Sequence, residues 1–148
     1  TTPGVGRLRG YQTAMEAADV PVDPEYVLEG DFRTESGYEL ANHLMSLPDP
    51  PTAIIGGNNL MTMGIFRRLR DMDVPIPDRV SLIGFDDFSL AAYLSPPLTV
   101  VDRPMSDMGR LAADLLLSRI EKRETGPVRR VVLTTALKVR GSCRSLSG

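Results

Sequence analysis

The hydrophobic positions of this chain alternate between a helical period and short continuous runs. Leu8, Tyr11, Met15 and Ala18 recur at helical spacing and predict a first helix over residues 5–19. Asp19, Pro21 and Pro24 break it, and residues 26–28 form a short β-prone run. Tyr38, Ala41 and Met45, with Leu40, Leu44 and Leu47 beside them, mark a second helix with Thr34 as its N-cap. Pro48, Pro50 and Pro51 end that helix. Ala53-Ile54-Ile55 is short and wholly apolar, as a strand buried on both faces should be. Gly56-Gly57-Asn58 turns directly into a third helix with Met61, Ile65, Leu69 and Met72 on one side, stopped by Pro75 and Pro77. Residues 80–85 (VSLIGF) are the clearest strand, residues 90–94 a helical turn and residues 98–101 a further strand. Met108, Leu111, Leu115 and Ile120 mark a fourth helix over residues 105–122. Residues 129–134 and 137–140 read as closing strands, and residues 143–148 as a frayed, disordered tail.

Strands and helices that alternate through short links build a mainly parallel sheet with helices on both faces, a three-layer α/β/α class. In such sheets a ligand crevice opens beyond the C-terminal ends of the strands. The segments that follow the strands are therefore the candidate site: Gly30-Asp31-Phe32, Gly56-Gly57-Asn58-Asn59 and Asp86-Asp87.

The length of 148 residues suits one domain with a real core, and 42% hydrophobic and 24% charged residues exclude a disordered or fibrous chain. No apolar run approaches the ~20 residues of a membrane helix, and no signal-peptide pattern is visible. The chain opens Thr1-Thr2-Pro3 with no Met, which reads as a piece of a longer or processed protein. A formal net charge of -2 argues against a nucleic-acid grip by this surface alone. A single cysteine, Cys143, excludes an internal disulfide, and with a single histidine, His43, it cannot build a His/Cys zinc site.

Gly4-Val5-Gly6 and Gly10 imitate a dinucleotide loop, but the spacing is one residue too long and no strand precedes it, so a flexible entry to the first helix is the better reading. Gly56-Gly57 lacks the Lys-Ser/Thr that a P-loop needs. Asp86 and Asp87 diverge if the backbone is extended there, so they are no ready acid/base pair. Asp86 at a strand's end reads either as an acceptor for ligand hydroxyls or as a turn former. Phe32 reads either as a stacking face for a ligand ring or as core. His43 reads as a partly exposed mid-helix residue, Cys143 as an inert thiol, and the basic residues from Arg119 to Arg130 as a solvated face diluted by Glu121 and Glu124.

Several blocks occur together in a recognisable order: Arg7-Leu8-Arg9-Gly10-Tyr11, Glu29-Gly30-Asp31-Phe32, Pro51-Thr52-Ala53-Ile54 leading to Asn58, Val74-Pro75-Ile76-Pro77-Asp78, Ser81-Leu82-Ile83-Gly84-Phe85-Asp86-Asp87, Pro96-Pro97-Leu98-Thr99-Val100 and Val139-Arg140-Gly141-Ser142. From Arg7 to about Ser142 the chain resembles the C-terminal half of a LacI/GalR-family transcriptional repressor. The resemblance implies a periplasmic-binding-protein type 1 core, of which residues 1–142 supply the C-terminal part. Residues 98–120 would then cross to an N-terminal subdomain, and the helix-turn-helix headpiece and hinge would lie outside this chain. It further implies a cytoplasmic homodimer that is not an enzyme, needs no cofactor or metal, and reaches operator DNA only through the N-terminal domain. Its effector would be a sugar, sugar phosphate or nucleobase. Residue by residue, the family's effector contacts fall on Arg7, Phe32, Asn58 and Asp86, and Arg103 stands where a ligand-facing Gln is frequent. Asn59 departs from the usual Asn-Asp pair. Leu60, Met63, Phe66 and Tyr93 fall in the family's dimer surface, with intrachain core as the alternative reading of that apolar face. A periplasmic-type sugar-binding protein of a transporter is the competing reading.

Overall fold

The computed structural model describes residues 2–145. Four helices and four strands follow one another: α1 (Thr2–Ala17), α2 (Thr34–Met45), β1 (Ala53–Ile55), α3 (Asn59–Asp71), β2 (Ser81–Phe85), β3 (Thr99–Asp102), α4 (Met105–Ile120) and β4 (Ala136–Lys138). A 3₁₀ turn, Pro24–Tyr26, lies between α1 and α2. The sheet order is β1-β2-β3-β4. β1, β2 and β3 are parallel, in a register that pairs Ile54 with Leu82 and Gly84 with Val100. β4 closes the edge antiparallel to β3, with Leu137 opposite Val101. The α/β class and mostly parallel sheet agree with the hydrophobic pattern.

The core lies between the sheet and the α2–α3 pair. Leu69, Val80, Leu82, Leu98 and Val100 are fully buried there, with Ile54, Ile65 and Phe66 around them. Period-two alternation explains the sheet's share, because Leu82 and Gly84 point to one face and Ser81, Ile83 and Phe85 to the other. The two helices can cross closely because each contributes a glycine. A side chain on Gly64 would strike the backbone of Thr34 and Tyr38, and one on Gly37 would strike the backbone of Met61. The opposite face of the sheet is more open, with Ile55 54% exposed. Neither α1 nor α4 buries a single described side chain fully, so the helices available for the third layer touch the packed unit without sealing it.

Three helix ends share one device. Asp19, Asp73 and Lys122 adopt left-handed backbone angles (φ 54, 52 and 57°) just past α1, α3 and α4. The next amide then returns to a carbonyl of the last turn: Val20 to Met15, Val74 to Leu69 and Arg123 to Ser118, each at 2.9 Å. This is the Schellman arrangement, usually built on glycine. Because no glycine marks these ends, the sequence placed the ends of α1 and α4 two residues late.

Other sequence expectations need correction. α1 begins at Thr2 and runs through Gly4, Gly6 and Gly10, so that segment is helix and not a flexible entry. Residues 26–28 and 129–134 have β-prone composition, yet neither is laid along the free edge of β1 or β4, and neither joins the sheet. Residues 90–94 form turns. Arg33, not Thr34, occupies the N-cap position of α2 and makes no side-chain cap bond. The described residues after β4 are tied to the sheet. The Ser142 hydroxyl, fully buried, accepts from the Thr99 amide (2.8 Å) and donates to the Leu82 carbonyl (2.5 Å). Cys143 lies half-buried with its Sγ 3.6 Å from the Leu82 carbonyl, and the Arg144 amide meets Ser81 Oγ at 3.3 Å. Residues 146–148 of the expected tail lie outside the described residues.

Candidate functional site

The C-terminal ends of β1, β2 and β3 converge, and five sequence-predicted residues meet there around a sixth. The sixth is Phe85, the last residue of β2. Arg7, in the second turn of α1, lays its guanidinium 3.9 Å from the centre of the Phe85 ring and 6.0 Å from that of Phe32. Its Nη1 donates to the Gly57 carbonyl at 2.6 Å. Arg103, just after β3, sits 5.8 Å from the same Phe85 ring and donates through Nε to Asp86 Oδ1 at 2.5 Å. A guanidinium over an aromatic face is attracted by the ring quadrupole, more so as water is excluded. Phe85 therefore serves as the platform on which both arginines rest.

Backbone strain points two of the side chains. Asp86 has φ 72° and Phe32 has φ 66°, left-handed values that non-glycine residues adopt at a cost of order ~1 kcal/mol or more. The turn at Asp86 separates its carboxylate from that of Asp87, while its amide still extends the ladder to the Val101 carbonyl at 2.9 Å. Phe32 is held by Asn58, whose Nδ2 donates to the Phe32 carbonyl at 2.9 Å. Asn58 is also the N-cap of α3, its Oδ1 accepting from the Met61 amide at 2.9 Å. One Nδ2 proton and one Oδ1 lone pair remain for a further partner. The amide expected to face a ligand is thus first a structural clamp.

The electrostatics separate the two adjacent aspartates. Asp86 shares its charge with Arg103. Asp87 takes both arms of Arg140, at 3.1 and 2.8 Å, and the Lys138 ammonium at 2.9 Å. Those hydrogen bonds, Arg140's first, hold the Asp87 carboxyl down at about 2 against the opposing effect of burial. Lys138 bridges on to Asp102 at 2.8 Å, and its own pKa is raised by that bond and by Asp87. Asp87 therefore fastens β4 to the sheet. Burial lowers the Arg7 pKa, with Asp86 pulling the other way and Arg103 adding to the lowering.

Phe85 and the Asp87–Arg140 pair were not singled out from sequence. Phe85 ends an apolar strand and reads as core, and no local signal links residues so far apart in the chain as Asp87 and Arg140. Of the expected dimer surface, Tyr93 (84%) and Leu60 (49%) are exposed and Met63 is half-buried. Phe66 is 8% exposed and belongs to the core, so the alternative reading of that face holds for Phe66. His43 is exposed in the last turn of α2. The six site residues are each half-buried, and two concavities of about 190 Å³ lie elsewhere, one beside α4 at Leu115, Leu116 and Val128, the other beside Tyr38 and Arg67. Among the described residues no helix is long and apolar enough to cross a membrane, and no group of three or more His, Cys, Asp or Glu side chains could hold a metal ion.

Comparison with known proteins fits this arrangement. A family model described as a periplasmic binding protein-like domain matches residues 1–143. The chain is 36% identical over 141 residues to the ribose operon repressor of Escherichia coli (strain K12), covering 95% of this chain and 42% of that protein. It is 35% identical over 140 residues to the transcriptional repressor CytR of the same strain, covering 95% of this chain and 41% of that one. A LacI family transcriptional regulator from Enterococcus faecium, solved with bound ribose, superposes with a TM-score of 0.88 at 26% identity, over 97% of this chain and 53% of that one. The chain spans about two fifths of the length of the curated relatives it matches. With the sheet, the crevice at its strand ends and these likenesses in agreement, the chain belongs to the periplasmic binding protein-like domain family and is similar over most of its length to LacI-family regulators.

Proposed function

We propose that this chain is the effector-sensing and dimerisation part of a cytoplasmic DNA-binding transcriptional repressor. The observation that carries the reading is the convergence of Arg7, Phe32, Asn58, Asp86 and Arg103 around Phe85 at the strand ends. An aromatic face flanked by donors and one carboxylate is the equipment for a small polyhydroxylated ring: stacking supplies affinity and the polar groups supply orientation. The named relatives are transcriptional repressors, one of them of a ribose operon, and one solved relative holds ribose. The half-buried site suits one wall of a cleft; of the expected crossover, residues 98–120, β3 belongs to this sheet, and the residues after it supply the passage to the second wall.

Function follows by population shift. The effector binds one arrangement of the two walls better than the other, and the regulator's operator affinity changes by that difference. Leu60, Met63 and Tyr93 form the homodimer surface. The chain itself catalyses nothing and needs no cofactor. In the full-length regulator, titration of operator binding with a panel of sugars and nucleosides tests the reading, together with Asp86→Ala. The variant should weaken the response to the active effector at least tenfold, because a hydrogen bond to a charged group is worth about 1.5–3 kcal/mol. An unchanged effector response in Asp86→Ala would remove Asp86 from the site.

A further inference from the structure

We propose that Lys138 is a staple at the root of the arm that carries α4: it ties the two strand ends, where the arm leaves and returns, to one carboxylate of the packed unit. The device is independent of what occupies the crevice. The chain departs for α4 after Asp102, the last residue of β3, and comes back at Ala136, the first of β4. Those two residues face each other in the antiparallel ladder. α4 buries no described side chain, so this pair of strand ends is the arm's firm attachment. The ladder there is short. β4 has three residues, all exposed, and Leu137 and Val139 are 59 and 71% exposed, so no apolar packing holds it down.

Charge does the holding instead. The Lys138 ammonium donates to Asp102 at 2.8 Å and to Asp87 at 2.9 Å. Asp102 lies where the arm leaves, Lys138 where it returns, and Asp87 just after β2 in the packed unit. One ammonium, with its three donors, joins three segments of the chain. Asp87 is anchored in turn by both arms of Arg140 and by the Phe88 amide, 3.0 Å from its Oδ1. Among the described residues Lys138 is the only ion-pair partner of Asp102, so its loss would leave two carboxylates facing each other with no cation between them. An isolated surface pair contributes little, but these carboxylates are only 18 and 27% exposed and the charges form a network. The next residue of the departing passage, Arg103, is itself held to Asp86. Bending of the arm is therefore left to residue 104 on one side and residues 121–135 on the other, while the strand ends stay fixed.

Hydrogen exchange on the full-length regulator, read at the amides of β4, tests the staple through Lys138→Met, Asp102→Asn and the double variant. Each single substitution should speed exchange there about fivefold or more, while residues 61–69 of the core exchange as before. Both substitutions remove the same link, so the double variant should be no more than about twofold faster than the faster single one. Unchanged rates in both single variants would mean that the ladder alone holds β4. Acceleration by Lys138→Met alone would mean that Lys138 fastens β4 to Asp87 and leaves the end of β3 out. Effects that multiply in the double variant would mean two separate contacts, and equal acceleration of residues 61–69 a general loss of stability. Any of these results overturns the staple.

Discussion

Two parts of this molecule are built on different physics. Among the described residues, the buried hydrophobic ones all lie between Ala41 and Val100, in α2, β1, α3, β2, β3 and the turns that join them. Outside that stretch, α4 is as regular and still amphipathic, yet Leu116, Leu117 and Ile120 are 61, 49 and 66% exposed, and Val128 and Val132 beyond it are 88 and 77% exposed. The outer part still contributes much of the charged chemistry: Arg7, Arg103, Lys138 and Arg140 all come from it. Stability therefore rests on apolar packing in the middle of the chain, while the charged side of the site is delivered by segments tied on by hydrogen bonds and ion pairs. Apolar periodicity predicts a helix wherever it occurs. It does not say which surface the stripe was written for.

The sharpest test of that contrast is a pair of equivalent truncations. Leu82→Ala, at a fully buried position, should cost roughly 2–5 kcal/mol in urea denaturation, whereas Leu117→Ala should stay within about 0.5 kcal/mol in the same chain. Equal losses would mean that α4 is packed after all. Next in size is Gly64→Ala. The added methyl meets the backbone of Thr34 and Tyr38, which no rotamer change relieves, so the α2–α3 crossing must widen at a cost of about 1–3 kcal/mol.

The tie between the two parts has its own signature. The Asp87 carboxyl titrates at about 2 in the folded chain because Arg140 and then Lys138 hydrogen-bond its charged form, whereas an unfolded Asp titrates near ~3.9. Its contribution is therefore complete above pH ~4 and is lost as the pH falls towards about 2. Asp87→Asn should remove that part of the acid dependence and cost on the order of 1 kcal/mol at neutral pH, since the pair is partly solvated. A variant with an unaltered stability–pH profile between pH 4 and 2 would show that β4 is held by its ladder alone. The smallest effect on stability belongs to Tyr93→Ala, within about 0.5 kcal/mol at an 84% exposed position. Its expected effect is on self-association, read as a loss of dimer in sedimentation velocity of the full-length regulator.

The packed part was the legible part. Ile65 and Leu69 on one helix face, Leu44 on another, and the run through Leu82 fall where periodicity puts them, because the core that selected them lies within the chain. Residues 26–28 and 129–134 misled for the complementary reason: β-prone composition becomes a strand only when the segment is laid along a neighbour's ladder, and neither segment is. Helix ends were blurred where Asp19 and Lys122 took a position that glycine usually announces. At the site, Asp86 and Phe32 were readable as strand-end residues with two open roles each. Phe85 was not, because a ring that supports two cations looks in sequence like one more apolar residue in a strand. The union of Asp87 with Arg140 left no trace at all, since nothing local records a contact made between opposite ends of a fold.

The double grip of Asn58 has a mechanical consequence. One amide holds both the carbonyl beneath the Phe32 ring and the first turn of α3, so a displacement of the aromatic wall would be passed to the start of that helix as to a pin. α3 is 13 residues long, a lever arm of about 20 Å at ~1.5 Å per residue. A rotation of about 5° at the pin would carry the far end through about 1.7 Å over that arm, enough to drag the Tyr38 hydroxyl that is bonded to Asp71 there. Leu60 rides almost on the pin and would barely travel, so a ring nudged by a guest would be felt more at the distant end of the helix than beside the crevice.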